Sequence, residues 1–249
     1  MTTLKAYNSY GEDLERILLL RTSPIAVKML EKEADIPKEA VRPKRNGFHL
    51  AQCQAFAMSR REKATVAMLQ EDNWCPTPVM TYGMEERPQD APPPAGHHIP
   101  YECFEHGKYI GILTAPLRTA TYEPDVVLIY SNTAQLRNLL LAMKLEERSL
   151  MNSHFFPPSC SYAVVYPILT GQYWVVLPDP GEYERALGGE DEMIFAVPKD
   201  KIGGLISDLG HYEEQTRGYT HSDMIMRPDF PQPELYKGMF RSWGMDFEE

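Results

Sequence analysis

The stretch that most constrains this chain is Glu123-Pro124-Asp125-Val126-Val127-Leu128-Ile129-Tyr130-Ser131-Asn132-Thr133-Ala134-Gln135-Leu136. Five apolar or aromatic residues follow Asp125 without a break, which reads as a strand buried on both faces. Pro124 belongs just outside that strand, because a central strand needs the backbone N–H that proline lacks. The period then changes: Leu136, Leu139, Leu140, Met143 and Leu145 recur at helical spacing. Asn132 is a good N-cap, and Gln135 completes a capping box. A strand thus enters a helix through Tyr130-Ser131-Asn132-Thr133. Such a joint can present helix N–H groups to a ligand, or it can be an ordinary connection.

On either side the sequence alternates helical and strand-like segments. A helix is expected over Tyr7 to Leu20, a strand over Ile25 to Leu30, a helix over His49 to Arg61 and a strand over Thr65 to Leu69. Pro76 starts a short helix closed by Gly83. Further strands are expected at Tyr109 to Leu113, Tyr173 to Leu177 and Met193 to Val197. Tyr162 to Leu169 reads as helix or buried strand, Tyr183 to Leu187 as a short helix, and Lys199 to Leu209 as a helix with Ile202, Leu205, Ile206 and Leu209 inward. From Glu85 to Pro100 the prolines make a surface excursion. The expectation is one α/β domain over residues 1–217, with α+β as the alternative: a central mixed sheet flanked by helices. Residues 218–249 form an extended C-terminal arm, over the body or onto a second subunit as a homo-oligomer contact.

Composition excludes several classes. A formal charge of −10 lacks the basic footprint of a nucleic-acid partner. No apolar run approaches the roughly 20 residues of a membrane span, and nothing resembles a secretory signal. The four cysteines, at 53, 75, 103 and 160, show no short repeat spacing, which favours reduced thiols in a cytoplasmic setting over a disulfide scaffold. Ser131 lacks the glycines of a nucleophile elbow, and no G-x-G-x-x-G follows a strand.

Several segments together resemble one family. They are Arg21-Thr22-Ser23-Pro24-Ile25-Ala26-Val27-Lys28, Cys53-Gln54-Ala55, Ala115-Pro116-Leu117, Glu123 to Tyr130, Tyr166-Pro167-Ile168-Leu169-Thr170-Gly171 and Asp191-Glu192. The order and content of these motifs resemble domain-of-unknown-function family 169, over roughly residues 10 to 210. The resemblance implies a cytoplasmic α/β protein of mainly anaerobic prokaryotes, and no agreed reaction. It also implies cysteines at the positions of Cys53, Cys75 and Cys160. Where members often carry cysteine followed by Gly-Asp-Arg, this chain reads Pro178-Asp179-Pro180-Gly181-Glu182-Tyr183.

Three functional readings follow. Cys53, Cys75 and Cys160 can converge at one sheet edge and ligate an iron–sulfur cluster or a haem iron, for electron transfer or cofactor handling in anaerobic metabolism. They can equally be small buried hydrophobes, or one can be a nucleophile. In the second reading Ser131, Asn132, Arg21 and Arg60 form a pocket for a small anionic ligand in a non-catalytic sensor or carrier, with Tyr82, Tyr130, Tyr162 and Trp74 as walls. The third is a cysteine enzyme using Cys53, although the sequence shows no base for it. His97, His98, Cys103 and His106 form the densest metal-capable cluster, in a segment that otherwise reads as a solvated loop. Glu190-Asp191-Glu192 is an acidic corner that either binds a cation or faces water.

Overall fold

The computed structural model describes residues 3–86, 102–147, 151–153, 155, 158–216 and 234–245. The chain divides into two compact units, Met1–Glu214 and Gln215–Glu249. In order, the first contains α1 (Leu4–Leu18), β1 (Ile25–Leu30), α2 (Gln52–Ala57), β2 (Val66–Leu69), α3 (Pro76–Thr81), β3 (Gly111–Pro116) and β4 (Val126–Ser131). There follow α4 (Thr133–Glu147), α5 (Ser159–Thr170), β5 (Trp174–Val176), α6 (Pro180–Arg185), β6 (Met193–Pro198) and α7 (Ile202–Thr216), the last crossing into the second unit.

The six strands form one sheet in the order β2-β3-β1-β4-β6-β5. This is the expected α/β architecture, but the sheet is antiparallel in all of its strand pairings rather than mixed. Parallel pairing is confined to the isolated bridges Val41↔Val66 and Leu50↔Asn73. The physical reason lies in stagger. β3 and β4 run in the same direction but are separated by β1, and β4 overlaps only Ile25 to Val27 of it. A short connection through the 3₁₀ turn Leu117–Thr119 therefore suffices, with no crossover helix.

Alternation along the strands divides the core into two layers. Ile25, Val27, Met29, Val126, Leu128 and Tyr130 face one side, with Phe56, Val79, Tyr162 and Val164 from α2, α3 and α5. Ala26, Leu30, Val127 and Ile129 face the other, with Leu14, Leu136, Leu139, Ile202 and Leu205 from α1, α4 and α7. β4 lies between β1 and β6 and is buried at every residue, as its unbroken apolar run requires. α4 begins at the anticipated cap: the Gln135 N–H donates to Asn132 Oδ1 and the Asn132 N–H to Gln135 Oε1, both at 2.9 Å. Gly11 lets α1 approach the turn after β3, since a Cβ there would meet the Arg118 backbone nitrogen at 2.6 Å.

Several boundaries differ from the sequence expectations. The segment open to either assignment is helix α5, which begins at Ser159, runs through Pro167 and ends at Gly171 in the left-handed region. The short helix expected from Tyr183 starts at Pro180. Its N-cap is Asp179, whose carboxylate accepts from the Gly181 and Glu182 N–H groups, and proline suits the N1 position. The helix expected over His49 to Arg61 begins at Gln52 and widens into a π turn at Met58–Glu62.

The expected excursion from Glu85 to Pro100 and the start of the C-terminal arm fall largely on residues 87–101 and 217–233, outside the described residues. The second unit contains a further helix, α8 (Glu234–Ser242), where an extended arm was expected; Leu235, Tyr236, Trp243 and Met245 are exposed on and just after it. No helix among the described residues is long and apolar enough to cross a membrane.

Two buried ion pairs fasten the connections to the sheet. Arg42 donates from Nε to Asp72 Oδ2 at 2.8 Å, while Asp72 also accepts from the Lys44 and Leu69 N–H groups. Arg60, in the π turn, makes a forked contact to Glu192, at 2.9 Å to Oε1 and 3.0 Å to Oε2. Its guanidinium also lies over the Tyr130 ring, 3.8 Å from the centroid. Removing one partner of such a pair leaves an uncompensated buried charge, which costs about 3–5 kcal/mol. Arg60→Met is therefore expected to lower unfolding stability by about that amount, measured by chemical denaturation, and Arg60→Met with Glu192→Met to recover most of it. A single variant as stable as the parent would contradict this.

Candidate functional site

The residues proposed for an anionic pocket are each engaged within the protein. Ser131 Oγ donates to the Met193 carbonyl at 3.4 Å, and Asn132 is occupied in capping α4. Arg21 pairs with Asp191 at the surface, and the hydrogen bond with Arg21 holds the Asp191 carboxyl below its ordinary value. Arg60 is wholly buried on Glu192. Arg118 is 3.0 Å from Glu15. Of the acidic corner before β6, Asp191 and Glu192 pair with arginines, while Glu190 is exposed to water. For Glu192, burial pushes the carboxyl up. The hydrogen bonds from Arg60 and the Gly189 N–H, with the charges of Arg60 and Arg61, outweigh that and hold it down.

The thiols behave differently. Cys53 lies in α2, Cys75 is the residue before α3, and Cys160 is in the first turn of α5. Tyr82 donates to the Cys160 carbonyl at 2.9 Å. Cys53 is buried, with its sulfur 3.8 Å from the Gly181 carbonyl that it donates to, and Cys75 is half-buried. Cys53 forms a small cluster with Ala51, Ala57 and Ala186, against which Cys75 packs. The Arg185 guanidinium rests on the Trp74 ring, 5.1 Å from its centroid.

Burial holds Cys53 and Cys160 as protonated thiols. Burial pushes Cys53 up to about 12, reinforced by the Glu182 charge and opposed by Arg185. Burial and the neighbouring Asp179 push Cys160 well above the usual thiol range. Among the described residues no three His, Cys, Asp or Glu side chains come together as a group able to hold a metal ion. The thiols therefore share a neighbourhood without forming a ready coordination sphere. His97 and His98 lie outside the described residues, while Cys103 and His106 are exposed.

The centre of this neighbourhood is a residue that no sequence motif singles out. Glu182 is fully buried on α6. Its Oε1 accepts from the Tyr130 hydroxyl at 3.0 Å and from the Ser159 hydroxyl at 3.5 Å, while Oε2 has no partner. Ser159 is held in turn by Asp179, through both N–H and hydroxyl. Burial raises the Glu182 carboxyl to about 8, against the Tyr130 hydrogen bond and the Arg60 charge, which lower it. Arg60 does not neutralise it, because that guanidinium is forked onto Glu192. The stretch where the family resemblance departs, Pro178 to Tyr183, is the one that supplies Asp179, Gly181 and Glu182 to the thiols.

Beside Cys75 a pocket of about 520 Å³ opens, lined by Asn73, Trp74, Cys75, Val79, Met80 and the carboxyl-bearing Glu71, Glu85 and Glu86 among others. Its size is that of a small-molecule or cofactor cleft.

A three-layer protein with an antiparallel sheet and a buried thiol–carboxyl cluster at the edge of an open pocket is thus the class that fold and site define. The family model DUF169, described as an uncharacterised ArCR, matches residues 13–208, and the chain belongs to that family. No curated protein and no solved structure matches the chain.

Glu182 makes stability depend on pH. Its folded pKa of about 8 exceeds the ordinary 4.5, so between those values the folded state holds a proton that the unfolded state has lost. The stability from that proton is fully present below about pH 4.5 and is lost as pH rises through about 8. Relative to Glu182→Gln, the parent protein should lose a few kcal/mol across that window, read from urea midpoints. Parallel pH profiles for the two proteins would contradict the assignment.

Proposed function

We propose that the chain binds a redox or metal cofactor in the crevice bounded by Cys53, Cys75 and Cys160, and serves electron transfer or cofactor handling in anaerobic metabolism. The observation that supports the reading is that Cys75, on the wall of a cofactor-sized pocket, packs against the small cluster that holds Cys53. A cytoplasmic, reducing setting belongs to the same proposal, since it keeps such thiols available.

The donor set discriminates among cofactors. An iron–sulfur cluster takes several thiolates, so Cys53, Cys75 and Cys160 would have to turn toward one another and give up their protons. A haem takes a single axial thiolate, which Cys75 offers beside the Trp74 face and the apolar Val79 and Met80. Glu71, Glu85 and Glu86 on the same wall disfavour propionates there, so such a ligand would turn its anionic edge elsewhere. The geometry supports a cofactor engaged by one or two thiols better than a fully thiolate-bound cluster.

Protein purified without oxygen, or reconstituted separately with iron plus sulfide and with hemin, should absorb in the visible. Cys75→Ser should remove most of that absorbance, and Cys53→Ser and Cys160→Ser should diminish it. A preparation that stays colourless and iron-free after both reconstitutions would overturn the reading.

A further inference from the structure

From the packing of the thiols themselves we propose a second property: Cys53 and Cys75 form a reversible dithiol–disulfide couple that exchanges with small disulfides through the pocket. It holds whether or not a cofactor binds at the same place.

Three observations assign the pair and its order of reaction. Cys75 packs against the cluster of Ala51, Cys53, Ala57 and Ala186, whose other side chains are methyl groups. Within that cluster only alanine methyl groups accompany Cys53, so closing the bond displaces little on its buried side. Cys75 lies on the pocket wall and is half-buried, whereas Cys53 is buried behind it, so an incoming disulfide meets Cys75 first. Arg185 lies over the ring of Trp74, the neighbour of Cys75 in the chain, and so brings a positive charge to this corner. Cys75 also stands outside the regular elements, at the residue before the six-residue α3, and its movement does not break a sheet pairing.

The chemistry balances. The Cys75 thiolate attacks one sulfur of a small disulfide, forming a mixed disulfide and releasing one small thiolate, which takes up a proton. The Cys53 thiol then loses its proton and attacks the Cys75 sulfur, expelling the second small thiolate. Two protein thiols are oxidised to one disulfide, and one small disulfide is reduced to two thiols. The protonated state of Cys53 fits the second role, that of resolving thiol, better than the first. Cys160 is as buried as Cys53 but belongs to the core around α5 and not to the small cluster against which Cys75 packs, so it does not compete for Cys75.

The test uses the full chain, free of cofactor, in a Cys103→Ser background that removes the exposed thiol. Incubation with oxidised glutathione, acid quenching and peptide mapping should show Cys53 linked to Cys75, with Cys160 free and the link reversed by dithiothreitol. Adding Cys53→Ser should stop the reaction at glutathione attached to Cys75. Adding Cys75→Ser should suppress both products at least tenfold. Cys160→Ser should leave the link intact, which separates a specific pair from general thiol crowding. Stable glutathionylation of Cys75 with Cys53 still free, a Cys53–Cys160 link, or no reaction in protein whose circular dichroism is unchanged would each overturn the proposal. Because cofactor-free protein is used, these outcomes are independent of the visible absorbance that tests the cofactor reading.

Discussion

The forked contact between Arg60 and Glu192 governs the electrostatics of the buried face. It joins the π turn after α2 to the residue that enters β6, and it holds the guanidinium over Tyr130 on the central strand. A buried ion pair of this kind adds little net stability over an apolar substitute, but it fixes which partners remain charged. Here the positive charge is spent on Glu192. Glu182, a short distance away on the Tyr130 hydroxyl, is left with hydrogen bonds and no counter-ion. Two carboxyls around one arginine thus separate into a held-down Glu192 and a pushed-up Glu182. This separation is the usual way that a protein obtains an anion and a neutral acid from the same residue type.

The same logic extends to the sulfurs. Cys53 and Cys160 face Asp179 and Glu182 in a desolvated corner, which keeps them as thiols. Only Arg185, at the boundary with the Trp74 and Cys75 pocket, works in the opposite direction. The site is therefore graded from a neutral, proton-holding interior to an accessible mouth. A cofactor or disulfide that enters at Cys75 would displace protons as it engages the groups behind.

Local chemistry was legible where it was self-contained. The run after Asp125 was readable as a central strand because it is short, rich in β-branched residues and bounded by Pro124 and the Asn132 cap, and the Asn132–Gln135 cap needed no tertiary information. The period of Tyr162 to Leu169 was not decisive: Ser159 to Val165 is buried almost all round, and such a helix has no polar face to reveal its turn. The start of α6 is readable in Asp179-Pro180, an N-cap followed by proline. Strand direction was less accessible, since a parallel and an antiparallel central strand carry the same apolar run when both faces are covered. Of the site, the three cysteines were visible as residues, and Cys75 packs against the cluster that holds Cys53. Glu192 was visible only as part of an acidic corner, and the burial of Glu182 and Glu192 was hidden for a simple reason. Each sits in a polar stretch that looks solvated, and only the docking of α6 and β6 against the π turn buries them.

The central claim is that Glu182 is a neutral acid at physiological pH because Arg60 is committed to Glu192. Infrared difference spectroscopy between the parent protein and Glu182→Gln reads this directly through the carbonyl stretch of a protonated carboxylic acid. The account predicts that this band is present at neutral pH, disappears in the variant and fades as the solution is taken above pH 8 or so. A carboxylate signal from Glu182 already present at neutral pH, with no acid band, would contradict it.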